Sequence, residues 1–236
     1  MVSGNEQDIR KVVKSLKANR FESVFVVGNK AEAVKKVLEL IPENASVGTG
    51  GSMTVNQTGL RDILIERGNI KPFVPGQING NSRPPVPDVF LTSSNAVTLD
   101  GKLVNIDATG NRVAQQIWGP GRVILIIGQN KIAADEADAL ERVQQVSSPF
   151  HGMTMGIDAP CAKDGKCHDC KSEGRICNIT TVIRKKPRTT DLCIVLVAED
   201  LGLGWDPSWP ADRIETIKQN YTHQWQTEVS RFRRPK

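Results

Sequence analysis

Apolar positions along this chain follow two rhythms, one helical and one extended, that take turns from the N-terminus onward. Ile9, Val12, Val13 and Leu16 fall at helical spacing and predict a helix over about 6–18. The β-branched run at 23–27 predicts a strand ending at Gly28, and Ala33, Val34, Val37, Leu38 and Leu40 stripe a helix over 31–40 stopped by Pro42. A short strand at 46–47 enters a glycine-rich turn. A helix over 54–67 follows, with Leu60, Ile63 and Leu64 inward and Gly68 at its end. Residues 72–87 carry five prolines and no periodicity, and read as a long loop or lid. Strands at 89–92 and 102–106 flank an Asp100-Gly101 turn. They precede a helix at 111–118, a strand at 122–127, and a helix through Ala133, Ala134, Ala137, Leu140 and Val143. A buried strand at 191–198 and a closing helix over 214–229 complete the series. Strands separated by helices predict an α/β fold with a mostly parallel sheet flanked by helices on both faces. The expected organisation is one α/β domain over 1–203, a cysteine-rich loop at 160–180 as an excursion from it, and a helical tail over 204–236.

That excursion carries the strongest chemical signal. Cys161, Cys167, Cys170 and Cys177 form a C-x5-C-x2-C-x6-C run, while Cys193 stands apart in an apolar strand and reads as a buried thiol. The residues between the four are polar or glycine, so burial does little to hold the segment, and a metal is the simplest staple. A spaced cysteine, a C-x2-C pair and a further cysteine suit an iron–sulfur cluster, above all [4Fe–4S]. Zinc is the alternative, although structural zinc sites usually pair two short knuckles and only one is present. Disulfides would need an oxidising compartment. Residues 1–10 have no apolar stretch of signal-peptide length, so a cytoplasmic, reducing location is expected. His168, between two candidate ligands, reads as a solvated loop residue.

Composition narrows the function classes. The 236 residues suffice for a full core, and 39% hydrophobic with 24% charged content is ordinary for a globular protein. No apolar run approaches the ~20 residues of a membrane helix. Net charge is +5, with basic clusters at 184–188 and 231–236. Aromatics make up 5% and do not interleave with these clusters, so they read as a solvated patch and a tail, not as a nucleic-acid surface.

In open α/β sheets ligands bind beyond the carboxyl ends of the strands. Polar segments follow the predicted strands in turn. The first is Gly48, Thr49, Gly50, Gly51, Ser52 and Thr54, where glycines permit close backbone approach and hydroxyls offer donors to an anion at the start of a helix. It matches neither the Walker loop nor the dinucleotide fingerprint. Ser94 and Asn95, Asn111, and Lys131 continue the rim as ligand-binding candidates. Asp107 and Glu199 are the candidate catalytic carboxylates, each at a strand end. His151 has no recognisable partner in sequence, and there is no G-x-S-x-G elbow.

The block SNAVT-x-DG-x-LVNID-x-x-GNRVA within 88–132, the GP before the next strand and the G-x-NKI after it resemble the LUD-domain family, the lactate-utilisation proteins. The P-C-x5-C-x2-C-x4-R-x-CN arrangement resembles a cysteine-bearing branch of that family. This resemblance implies a fold like that of ribose-5-phosphate isomerase, glucosamine-6-phosphate deaminase and the coenzyme A transferases. In those relatives a glycine/hydroxyl loop after an early strand holds the ligand's anion. Their DGADE-type catalytic segment is absent, so isomerase activity is not implied, and whether the chain is an enzyme stays open. The resemblance also implies a role near lactate oxidation. The implied partners are a small carboxylate or phosphorylated metabolite and iron–sulfur or flavin proteins. No nucleic acid and no membrane are expected; a homo-oligomer is left open. Two alternatives stand beside this reading: a non-catalytic iron–sulfur electron-transfer or assembly subunit, and a zinc-stapled binding protein.

Overall fold

A computed structural model of the chain describes residues 4–70 and 86–232. The proline-rich stretch expected as a lid lies outside the described residues from 72 to 85.

The chain runs α1 (Gly4–Ala18), β1 (Val24–Val27), α2 (Lys30–Leu40), β2 (Val47–Thr49), α3 (Met53–Thr58), α4 (Leu60–Glu66) and β3 (Val89–Thr92). It continues with β4 (Ala96–Thr98), β5 (Leu103–Asp107), α5 (Asn111–Trp118), β6 (Arg122–Gly128), β7 (Ile132–Ala133) and α6 (Glu136–Arg142). The last part holds α7 (Ser148–Met155), α8 (Cys161–Asp164), β8 (Ile179–Ile183), β9 (Asp191–Val197) and α9 (Ala211–Phe232). Five strands form an all-parallel sheet in the order β1-β9-β6-β3-β2. A second sheet, β7-β4-β5-β8, is mixed.

Period-two alternation on the central strands explains the layering. On β6, Ile124 and Ile126 face a core shared with α2, α3 and α4, through Val37, Val55, Leu60 and Leu64. Val123, Leu125 and Ile127 face the opposite core, closed by Val12 and Leu16 of α1 and by Val97 and Leu103 of the second sheet. β9 divides in the same way, with Cys193, Val195 and Val197 on one face and Leu192, Ile194 and Leu196 on the other. A parallel sheet covered on both faces has this signature, and it confirms the α/β expectation.

Two expectations are corrected. The helix predicted over 54–67 is broken at Gly59, which adopts φ 71° and ends α3 after only six residues. Thr58 secures the break: its hydroxyl donates to Val55 O (2.6 Å) and accepts from Leu60 N (3.3 Å). A helix this short has little macrodipole to offer an anion. The second sheet is not predicted apart from β5: β4 and β7 are three and two residues long, and the five-residue β8 begins inside the stretch read as the cysteine loop. Among the described residues no helix is long and apolar enough to cross a membrane.

Candidate functional site

A cavity of about 300 Å³ opens beyond the carboxyl ends of β2, β3 and β6. Its floor is the segment Gly51, Ser52, Met53 and Thr54 after β2, together with Ser93, Ser94 and Asn95 after β3 and Lys131 after β6. The second sheet adds Ile106 and Asp107, and the start of α5 adds Asn111 and Arg112. The remaining wall comes from Ser147, Ser148, His151 and Met155 around α7, Ile176 of the cysteine loop, Leu203, and Tyr221 of α9.

The expected rim is thus largely brought together, with exceptions. Gly48, Thr49 and Gly50 do not line the cavity. Gly50 instead packs under Arg112, where any Cβ would lie 3.0 Å from the arginine Cδ. Ser52 caps α3, accepting from Val55 N at 3.3 Å. Asn95 supports the second sheet, its Oδ1 accepting from Ile106 N at 3.1 Å. Asn111 begins α5, and its Oδ1 accepts from the Thr109 hydroxyl at 2.9 Å. Ser94 donates to Ala96 O at 2.8 Å.

Glu199 does not line this cavity. β9 sits between β6 and β1, so the turn after it faces α2, and the Glu199 carboxylate accepts from Lys30 N at 2.7 Å. It works as a cap for that helix. Asp107 does reach the cavity and is buried. Its Oδ1 accepts from Thr109 N (3.3 Å) and Gly110 N (3.1 Å), while Oδ2 accepts from Arg112 N (3.2 Å) and faces Arg112 Nε (3.4 Å). A carboxylate so engaged holds a turn and an arginine more readily than it moves protons.

Arg112 is also tied to Ile106 O and, at 3.4 Å, to Asn95 Oδ1. Lys131, a ligand-binding candidate, lines the cavity and is buried. Its Nζ donates to Thr54 Oγ1 (2.7 Å), Ser93 Oγ (2.9 Å) and Ser94 O (3.2 Å). Burial, with the Arg112 charge adding to it, pushes the Lys131 ammonium down to about 7. The turn that carries Lys131 is clamped from behind. Arg142 donates to Asn130 O and Ile132 O, both at 2.7 Å, and Asn130 ties the turn to the 201–204 loop. That loop lies against Lys131 at Gly202, where a Cβ would stand 3.1 Å from Nζ. Across the cavity His151 Nδ1 meets the Tyr221 hydroxyl. Burial first, and Arg112 second, push His151 down to about 4, so it is neutral at physiological pH.

The cysteine loop joins the site at one edge. It is anchored by α7 before it and by β8 after it, where Ile179 pairs with Asp107. Asn178 N donates to Asp107 O (3.0 Å), and its side chain donates to Ala108 O (3.1 Å). No residue from Cys161 to Asn178 is buried. The four thiols are half-exposed and free, and burial first, then the charges of Cys170, Cys177 and Cys167, push the Cys161 thiol up. Asp169 N donates to Cys167 Sγ at 3.5 Å, and Arg175 wraps the loop through Cys177 O (3.2 Å) and Asp169 Oδ1 (3.0 Å). Among the described residues, however, no three Cys, His, Asp or Glu side chains converge tightly enough to hold a single metal ion. His168 pairs with Asp164 at 2.8 Å.

The sequence profile of the LUD domain matches residues 9–77 and 87–197, well over half of the chain. The chain belongs to the LUD-domain family. Among solved structures, a DUF162 family protein from Deinococcus radiodurans is similar at 12% identity, with a TM-score of 0.47, 83% of this chain covered and 99% of that chain. No curated protein matches the chain. Two cavity residues, Leu203 and Tyr221, lie beyond the matched LUD region, and through Tyr221 the segment expected as a tail supplies part of the wall. Its packing is firm. Tyr221 and Ile217 join Met53, Leu203 and Trp205 in one cluster, Phe150 stacks edge-on against Trp205, and Arg213 pairs bidentately with Asp200 at 2.7 Å.

Arg112, Ser147, Ser148, His151 and Tyr221 of this LUD-family chain are not singled out as site residues by the sequence. Arg112 sits inside the GNRVA block, which was a readable signal. His151 and Tyr221 are seventy residues apart, and nothing in either neighbourhood announces the other.

Proposed function

We propose that this LUD-domain protein binds a small carboxylate or phosphorylated metabolite in the cavity, in a role related to lactate utilisation. One observation carries the reading. Arg112 brings a cation and Lys131 an amine that titrates at about 7 to a cavity with one carboxylate, Asp107, which is already engaged by Arg112, and a bound anion would favour the charged form of the amine. An anion is what would complete such a site, because a cation in a partly dry cavity is stabilised by an opposite charge far more than by water at a distance.

Ser52→Asp tests it. Aspartate caps a helix as well as serine does, so α3 and the fold are expected to survive, while a carboxylate now projects at the cavity floor. Thermal stabilisation of the wild type by phosphate, lactate or pyruvate should fall about tenfold or more in apparent affinity, through repulsion worth on the order of 1–4 kcal/mol. Unchanged stabilisation would reduce the loop to a turn.

The cysteine loop extends the proposal to an iron–sulfur cluster held by Cys161, Cys167, Cys170 and Cys177. Structural zinc usually pairs two short C-x2-C knuckles, and the loop has one. The C-x5-C-x2-C-x6-C spacing is what supports the cluster. The N–H donor on Cys167 is also of the kind that tunes such clusters. When bound, the cluster would supply one-electron transfer or a structural staple. The half-exposed thiols favour a companion reading in which the loop docks on a redox partner.

Cys170→Ala is expected to lose iron from anaerobically purified protein and to make 160–177 protease-sensitive. Far-ultraviolet circular dichroism should be retained, since none of Cys161–Asn178 belongs to the core. Full iron retention would remove Cys170 as a ligand, and global unfolding would place the loop within the core.

A further inference from the structure

Lys131 is a buried amine that faces a cavity and has no carboxylate among its hydrogen-bond or ion-pair partners in the described residues. Its three contacts, with Thr54 Oγ1, Ser93 Oγ and Ser94 O, can serve either the ammonium or the neutral amine. The Ser93 hydroxyl donates to Ser94 O at 3.1 Å and therefore accepts from Nζ. Ser94 O accepts the second amine hydrogen. The Thr54 hydroxyl accepts the third hydrogen at 2.7 Å, and once that proton is lost it can turn to donate to the nitrogen lone pair or swing away from it. The turn beneath is rigid: Arg142 and Asn130 hold its backbone, and Gly202 closes over the amine. Such support fixes a nucleophile in place, as a productive site requires. On the same cavity wall stands the Arg112 guanidinium, whose Nε and one Nη are held by Asp107, Ile106 O and Asn95, and whose positive charge an incoming carboxylate would meet.

We propose that Lys131 is a nucleophile that forms a Schiff base with the carbonyl of a small 2-oxo acid whose carboxylate meets Arg112. This rests on the anion-binding reading above and narrows its ligand class. The Nζ lone pair forms the N–C bond as the carbonyl π pair moves onto oxygen, and a proton passes from nitrogen to that oxygen, giving a carbinolamine. The nitrogen lone pair then expels the hydroxyl, which takes up the remaining N–H proton and leaves as water. The imine results with no oxidant or reductant. Burial that holds the amine near 7 keeps a large neutral fraction at physiological pH, which an ordinary lysine lacks.

The test uses the full chain, pyruvate and sodium cyanoborohydride, with peptide mapping by mass spectrometry. The expected result is one reduced adduct on Lys131. It should form roughly a hundredfold faster than on surface lysines, which are almost wholly protonated at neutral pH. Its rate should rise with a midpoint near pH 7. Lys131→Met should abolish it, with circular dichroism confirming the fold. Lys131→Arg, which keeps a cation but no nucleophile, should abolish the adduct as well. No adduct, or label spread evenly over many lysines, overturns the proposal. Trapping by dihydroxyacetone phosphate but not by pyruvate overturns the 2-oxo acid assignment. Thermal stabilisation by phosphate or acetate, scored in parallel, separates the two layers. Stabilisation without an adduct defeats the nucleophile and leaves the anion site standing, whereas absence of both defeats both.

Discussion

Asn130→Leu is expected to lower the unfolding free energy by about 3–5 kcal/mol and to abolish anion binding. The side chain is fully buried, and it is the clamp between the turn after β6 and the loop after β9. Its amide nitrogen donates to Gly204 O at 2.8 Å and, more weakly, to Gly202 O at 3.4 Å, while Oδ1 accepts from Leu201 N at 2.9 Å. Leucine fills similar space but offers no polar atom. Leu201 N and Gly204 O would then be stranded in the interior, each at about 1–3 kcal/mol. The loss should also free the 201–204 loop from Lys131, so Leu203 and Gly202 would no longer close that side of the cavity. Urea unfolding of both proteins, with phosphate-dependent thermal shifts, checks the expectation. A penalty below about 1 kcal/mol would mean that water or the neighbouring Arg142 replaces the amide without difficulty.

The second large effect is on the pH dependence of stability. Lys131 sits at about 7 in the folded protein against 10.5 for the free side chain, so between these values the unfolded chain binds the extra proton. Raising the pH through that window therefore stabilises the folded state, and lowering it toward 7 removes the stabilisation. Below about 7 both states are protonated and the contribution is flat. At about 1.4 kcal/mol per pKa unit, the swing is several kcal/mol. The difference in unfolding free energy between wild type and Lys131→Met is expected to move by that amount, in favour of wild type, from about pH 7 to pH 10. Cysteine and tyrosine titrations occur in both proteins and cancel. A difference that stays constant across the window would mean that Lys131 is solvated and carries an ordinary ammonium.

Much of the site was legible because the strand-end rule is itself physical. Once β2, β3 and β6 are recognised as parallel, Ser52, Thr54, Ser94, Asn95 and Lys131 follow each of them directly in the chain, and their convergence at one sheet end is a consequence of topology. Glu199 obeyed the same local rule and failed, because strand order, and not strand identity, decides which ends are neighbours. β9 lies between β6 and β1, and its carboxylate turns to α2. Lys131 was placed in the right segment, but its burial depends on Arg142, Asn130 and Gly202 closing around it. Asp107 was singled out for chemistry, while the structure commits it to two amides of a turn, the start of α5 and the Arg112 guanidinium. Arg112 itself was overlooked, since one arginine at the start of a helix looks like any other until the second sheet brings Asn95 and Ile106 beside it.

The sequence by itself determined the α/β class, the central strands and most helices, the polar segments at strand ends, the isolated polar cysteine loop and the LUD resemblance. All of these are written in local period, spacing or motif, which a few consecutive residues suffice to express. Only the tertiary structure decided the break at Gly59, the second sheet, the exclusion of Glu199, the burial of Lys131, and the wall that Tyr221 and His151 add from helices seventy residues apart. These depend on which distant surfaces pack together. Burial, and with it the shift of a lysine or histidine proton, is a property of the assembled surroundings and not of the residue or its neighbours in the chain.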